Sequence, residues 1–221
     1  MKMSKNQIKS FVLTGGPCAG KSEGIEELKK FLEELQYKVI TIPEIATETR
    51  QNGFIHTEGT ISQIDFQKVI FEMQMFKENL YKRIMAKNKK DFMILLLDRG
   101  LLDGKVYLLE NEFQKILETH NLKESDILAR YDAIFHLEST AVGDAELYNN
   151  TTNRFRLSNS EQARIQNKKS MEVWSKHPNF HIISVEDEFK TKMNKLKEAA
   201  VNELEREKSF KRQNEVNEVE Q

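Results

Sequence analysis

The chain has 221 residues, 38% of them hydrophobic, and its 34 Lys and Arg nearly cancel 35 Asp and Glu for a formal net charge of -1. That length supports one sizeable core rather than an array of modules, and the charge balance excludes a strong field that would recruit nucleic acid or a membrane surface. The longest apolar run, Phe92 to Leu97, is far short of a spanning helix, the start Met1 to Lys5 lacks a signal peptide's apolar centre, and one cysteine makes no internal disulfide. The expectation is a cytoplasmic protein with no nucleic-acid or membrane partner.

In chain order, Ser10 to Thr14 predicts a buried strand stopped by glycines, and Glu23 to Gln36 a helix with Ile25, Leu28, Leu32 and Leu35 on one face. Val39 to Ile42 predicts a second strand ended by Pro43, which completes a βαβ unit. Thr47 to Thr60 reads as an irregular segment whose first residues suit a short helix. Ile61 to Lys87 reads as a long helix with Ile64, Val69, Met73, Phe76, Leu80 and Ile84 near its packed face. Phe92 to Leu97 is too continuously apolar for a half-exposed strand and suits the middle of a parallel sheet. Leu101 to His120 predicts one or two helices, Ala133 to Leu137 a fourth strand, Ser160 to Lys176 a helix, His181 to Val185 a fifth strand, and Glu186 to about Glu207 a closing helix. The organisation is one domain over residues 1–208, with a polar lid near 138–164 and a flexible tail at 209–221.

The segment Gly15-Gly16-Pro17-Cys18-Ala19-Gly20-Lys21-Ser22 satisfies the Walker A spacing and lies between a buried strand and an amphipathic helix, as the mechanism requires. Glycines let several backbone N–H groups turn toward phosphate oxygens, and the following helix adds the positive end of its dipole. Lys21 is placed to bridge the outer phosphates and Ser22 to ligate magnesium, so ATP with Mg2+ is the expected ligand pair. A broken guanine-reading pattern at Asn167-Lys168-Lys169-Ser170 favours ATP over GTP.

Ligands of parallel α/β sheets bind beyond the carboxyl ends of the strands. Asp98 follows the third strand, where a carboxylate holds magnesium or accepts from Ser22; capping the next helix is its other reading. Glu44, just past the second strand, is the candidate general base for an attacking hydroxyl, with helix capping or an arginine pair as the alternative. Arg99 adjoins Asp98, while Arg154, Arg156 and Arg164 cluster in the expected lid, from which guanidinium groups would stabilise charge on a transferred phosphoryl group. Arg154 and Arg156 share a face if that segment is extended. Phe54, Phe66 and Tyr107 are candidate pocket residues, and Trp174 a packing residue.

Together, Leu13-Thr14-Gly15-Gly16-Pro17 with Gly20-Lys21-Ser22, Pro43-Glu44-Ile45-Ala46, Leu97-Asp98-Arg99-Gly100 with Asp103-Gly104, and Tyr131-Asp132-Ala133 carry a family likeness. The chain resembles AAA-type ATP-binding domains related to the ribosylnicotinamide kinase domain of NadR-like proteins, over about Phe11 to Leu204. The resemblance implies a nucleoside-kinase-like α/β fold with a five-stranded parallel sheet ordered 2-3-1-4-5. It also implies an acceptor-side role for Glu44 and an acid-arginine pair at Asp98 and Arg99. It departs at Glu23, where many kinases carry a second hydroxyl, and at Cys18, where a glycine is absent. The leading functional expectation is a kinase of a nucleoside or related ribosylated compound. The alternative is an ATPase or ATP-binding switch acting through a protein partner, and a homodimer is left open.

Overall fold

The computed structural model describes residues 8–56, 61–88, 91–139, 160–186 and 188–219. Five strands form one all-parallel sheet: β1 (Ile8–Thr14), β2 (Lys38–Ile42), β3 (Met93–Asp98), β4 (Ala133–Leu137) and β5 (Phe180–Ile183), in the order β2-β3-β1-β4-β5. This is the three-layer architecture of the P-loop NTPases, with the order expected from the resemblance. The central strands are buried on both faces, as in Phe11 to Thr14, Ile94 to Asp98 and all of β4, which is why they read as continuous apolar runs rather than alternating ones.

The helices are α1 (Lys21–Glu34), α2 (Ile45–Gln51), α3 (Gln63–Met85), α4 (Glu110–Thr119), α5 (Glu124–Leu128), α6 (Ser160–Trp174) and α7 (Phe189–Val219), with a 3-10 helix at Leu101–Tyr107. Two apolar cores flank the sheet. On one side Leu28 and Leu32 of α1 and Met193, Leu196 and Ala200 of α7 pack on Phe11, Leu13 and Phe135. On the other, Ile45, Phe71, Phe113, Ile116 and Trp174 pack on Val12, Leu95 and Leu97. Each fully buried Leu or Phe contributes about 1.5–3 kcal/mol of transfer free energy, so the sheet is clamped from both faces. Register alone then delivers Thr14, Ile42, Asp98 and Leu137 to one edge.

Two differences from the sequence expectation have physical causes. The buried side of α3 carries Phe66, Gln67, Phe71, Gln74, Glu78 and Met85, whereas Phe76 and Ile84, expected inside, are 67% and 53% exposed. Three polar residues on the inward face are hydrogen-bonded or border a cavity, and an apolar-period reading assigns such residues to solvent. The short helix expected at the start of the Thr47 to Thr60 segment is present as α2, which begins two residues earlier with Ile45 and Thr49 as its buried residues. Thr49 satisfies its own hydroxyl on the Ile45 carbonyl at 2.7 Å, and Glu48 pairs with Lys77 of α3. Leu101 to His120 divides at Leu108, and α7 continues as backbone helix to Val219, beyond the expected end near Glu207. That extension contains no proline or glycine to stop a helix.

Candidate active site

The loop between β1 and α1 is shaped by two glycines. Gly15 has φ 139°, and a Cβ there would lie 2.1 Å from the Leu137 carbonyl oxygen, so β4 approaches the loop backbone directly. Gly20 caps α1 in the left-handed region, at φ 79° and ψ 25°. Lys21 is 5% exposed, and its ammonium donates to the carbonyls of Gly16 at 2.8 Å and Gly15 at 3.2 Å, which folds the side chain over its own loop. Ser22 begins the exposed face of α1. Pro17, Cys18 and Ala19 complete the turn, with Cys18 at φ 54°.

The loop is tied down from below by residues distant in sequence. Asn167 Oδ1 on α6 accepts from the Gly16 N–H at 3.3 Å and from the Ser139 N–H at 3.0 Å. The Ser139 hydroxyl donates to the Pro17 carbonyl. Lys192 of α7 donates to the Ala19 carbonyl at 2.9 Å and to the Glu138 carbonyl at 2.6 Å; its burial pulls the ammonium pKa down to about 8, against the attraction of Glu138. The phosphate loop and the start of the segment after β4 are therefore held by one set of side chains.

At the carboxyl edge of the sheet stand Glu44, Asp98, Arg99 and Asp103. Arg99 has φ 74°, a conformation uncommon for a side-chain-bearing residue, and its N–H donates to the Leu13 carbonyl at 2.9 Å. That backbone turn sends its guanidinium sideways: Nε donates to Glu44 Oε1 at 2.7 Å, and Nη1 to the Gly15 carbonyl at 3.2 Å and Asp103 Oδ1 at 3.3 Å. Burial opposes its charge, but Tyr107, Glu44, Asp103 and Asp98 around it raise its pKa well above the ordinary value. Asp103 also accepts from the Thr14 hydroxyl at 2.6 Å, the Gly100 N–H at 2.9 Å and Trp174 Nε1 at 3.2 Å. Asp103 is thus the anchor of the constellation, and Trp174 has a polar duty beyond packing.

Glu44 sits at the N-cap position of α2, yet its side chain does not cap that helix. Its carboxylate receives Arg99 and the Thr47 hydroxyl instead. Burial would raise the Glu44 pKa, but the charges of Arg99 and Lys21 and these two hydrogen bonds outweigh it and hold the group at about 2. Asp98 is 6% exposed, and its Oδ1 has no hydrogen-bond partner among the described residues. Burial is the main cause raising its pKa to about 6, with Glu44 and Asp103 adding to the shift against Lys21 and Arg99. The 3-10 helix that follows is capped at Gly100, so Asp98 is not a capping residue.

Two openings meet at Glu44 and Asp98. One is a cavity of about 50 Å3 bordered by Arg50, Gln67, Phe71 and Tyr107. The other is an open groove of about 730 Å3 between α1 and α2, bordered by Ser22, Glu26, Lys29 and Thr41. An orphaned, buried carboxylate oxygen beside a helix-terminal hydroxyl is a donor set that suits a hard cation such as magnesium. Of the expected aromatic residues Tyr107 borders the cavity; Phe66 is instead fully buried and Phe54 stacks on it at 6.3 Å between ring centroids. Arg154 and Arg156 lie outside the described residues, and Arg164 is exposed on α6. Asn167, Lys192, Arg50 and Gln67 had no site motif to announce them, while Thr14 lay within the Leu13 to Pro17 segment without a stated role. Asp103 did have one signal, its place in the Asp98-Arg99-Gly100 segment with Gly104.

A glycine-cornered loop between a buried strand and a helix, at the carboxyl edge of a parallel sheet in this order, defines a nucleotide-binding P-loop protein. The model of the family described as an AAA domain matches residues 10–192, and the chain belongs to that family. No curated protein matches the sequence. No helix among the described residues is long and apolar enough to cross a membrane.

Proposed function

We propose that the protein is an ATP- and magnesium-dependent kinase whose acceptor is a hydroxyl of a nucleoside or related ribosylated compound, as in the ribosylnicotinamide kinase domains of NadR-like proteins. One observation carries this reading: an ionised carboxylate, Glu44, stands between the phosphate loop's groove and a second, enclosed cavity, paired at 2.7 Å with Arg99. Hydrolysis requires a place for water only, whereas transfer to a small molecule requires a lined recess next to the phosphoryl group.

In this reading the loop amides and Lys21 take the triphosphate, Lys21 exchanging its contacts with the Gly15 and Gly16 carbonyls for phosphate oxygens. Ser22 and Asp98 would hold magnesium, which supplies charge neutralisation on the phosphates when bound. Glu44 accepts a hydrogen bond from the acceptor hydroxyl and aims its oxygen. With a pKa near 2 it is a weak base at rest. It receives the proton as the new P–O bond forms and the hydroxyl becomes acidic, leaving ADP and the phosphorylated acceptor. Arg99, fixed by Asp103, keeps Glu44 ionised and faces the site of developing negative charge.

The test is ADP release from magnesium ATP across a panel of nucleosides that includes nicotinamide riboside, with Lys21→Ala as the blank and phosphorylated product measured in parallel. Acceptor-dependent ADP release lost in Lys21→Ala supports the kinase. Slow release indifferent to every acceptor contradicts it, and points to a switch read by a protein partner.

A further inference from the structure

Arg50 borders the enclosed cavity, half-buried, and its guanidinium makes no ion pair or hydrogen bond among the described residues. Its guanidinium carbon lies 4.9 Å from the centroid of the Phe66 ring, a stacking contact that leaves the edge of the guanidinium fork without an acceptor. Burial lowers its pKa, with Glu44 acting in the opposite sense. Beside it, Gln67 is 5% exposed, borders the same cavity, and its carboxamide makes no hydrogen bond among the described residues. A Cβ on Gly104 would come within 3.3 Å of Gln67 Oε1, so the glycine leaves the amide its room.

Buried polar groups in native proteins are paired, and a pocket that withholds partners from a guanidinium and a carboxamide reserves both for a ligand. The acids bordering the cavity are already assigned. Glu44 is matched by Arg99 and Thr47, Asp103 accepts four donors, and Asp98 also faces the Ser22 groove. Among the described residues of the wall Arg50 is the remaining cation. It lies six residues along α2 from Glu44, about 9 Å at the helical rise. A molecule presenting a hydroxyl to Glu44 therefore reaches Arg50 with its opposite end. The cavity is narrow and has aromatic borders at Phe71 and Tyr107, which suits a planar group, and a planar anion matching a guanidinium fork is a carboxylate.

Resting on the kinase reading above, we propose that the acceptor is a ribosylated compound carrying a ring carboxylate, read by Arg50 with Gln67 as the second donor.

Two pairs of probes differ by that group: nicotinate riboside against nicotinamide riboside, and orotidine against uridine. Each is assayed for phosphorylated product with magnesium ATP, and by calorimetric titration into nucleotide-free protein. The wild type is expected to favour the carboxylate member of at least one pair by about tenfold or more. In Arg50→Met that ratio collapses toward one because the carboxylate member loses, and Arg50→Lys, which keeps the charge but not the fork, stands between. Arg50→Lys carries the comparison if Arg50→Met melts early. Arg50-dependent binding of carboxylates without any transfer upholds carboxylate recognition by Arg50 but defeats the kinase reading, and with it the compound's role as acceptor. Transfer with no carboxylate preference, or equal losses for both members in Arg50→Met, overturns the inference and leaves the kinase standing. Binding of none of the four probes overturns it as well.

Discussion

Replacing Asp98 with Asn separates stability from function at this site. The carboxylate is buried, Oδ1 lacks a partner among the described residues, and burial raises its pKa to about 6 against the ordinary 3.8. For an acid whose folded pKa is raised, the folded state holds the proton more tightly. The cost of ionisation is therefore absent below the unfolded pKa, grows as pH rises, and is complete above the folded pKa. A shift of about two units corresponds to on the order of 3 kcal/mol at pH 8, and roughly half of that at pH 5. Asp98→Asn removes the ionisation, so the metal-free and nucleotide-free variant should be more stable than wild type at pH 8 by up to this amount. At about 2–4 °C per kcal/mol for a chain of this size, the gain is about 6–12 °C in Tm, shrinking by about half at pH 5. Scanning calorimetry of both proteins in chelator at the two pH values measures the difference directly. A Tm difference that is unchanged between pH 5 and pH 8 refutes the claim that Asp98 carries a costly buried charge. The same variant should lose magnesium-dependent turnover, because the oxygen that is expensive in the empty protein is the one offered to the cation.

The remaining predictions concern neighbouring groups. The magnesium concentration needed for half-maximal nucleotide turnover should rise as pH falls through about 6, approaching tenfold per unit, because Asp98 must shed its proton to bind metal; a metal titration at pH 5 and pH 7.5 reads it. Gly15→Ala should destabilise by about 2–3 kcal/mol or more and abolish binding of a fluorescent ATP analogue, since its methyl would lie 2.1 Å from the Leu137 carbonyl. Glu78, fully buried, accepts two bonds from Arg130 and one each from Gln74 and Tyr131. Glu78→Ala should cost about 3–5 kcal/mol in urea melts, and Glu78→Leu combined with Arg130→Met should recover much of it; near-equal losses would show that the pair itself, not the stranded charge, is what stabilises.

The parts of this site that were legible in the sequence are those where local chemistry and sheet topology coincide. Continuous apolar runs identified the central strands, with Ala133 to Leu137 matching β4 residue for residue, because buried parallel strands admit little else. The phosphate loop was legible because glycine spacing, lysine and hydroxyl must occur together in one short segment. Glu44, Asp98 and Arg99 were legible because they stand at strand ends: Asp98 closes β3, Arg99 follows it, and Glu44 comes one proline after β2. Arg50, Gln67 and Asn167 were not: each stands on a helix and reaches the site only through tertiary packing. Gln67, Gln74 and Glu78 even displaced the expected face of α3, since a polar residue bordering a pocket or held in a buried network is indistinguishable by period from one facing water. Asp103 lay between these cases, visible as part of a motif while its four donors were not.

The central claim, transfer to a hydroxyl held at Glu44, is tested most directly by following the γ-phosphoryl group. With γ-labelled ATP, magnesium and an acceptor that stimulates turnover, the label should appear in the acceptor. Glu44→Gln should lower that rate by about 10²–10⁴-fold while leaving binding of a fluorescent ATP analogue intact. Label recovered only as inorganic phosphate, at a rate that Glu44→Gln does not change, would contradict the account.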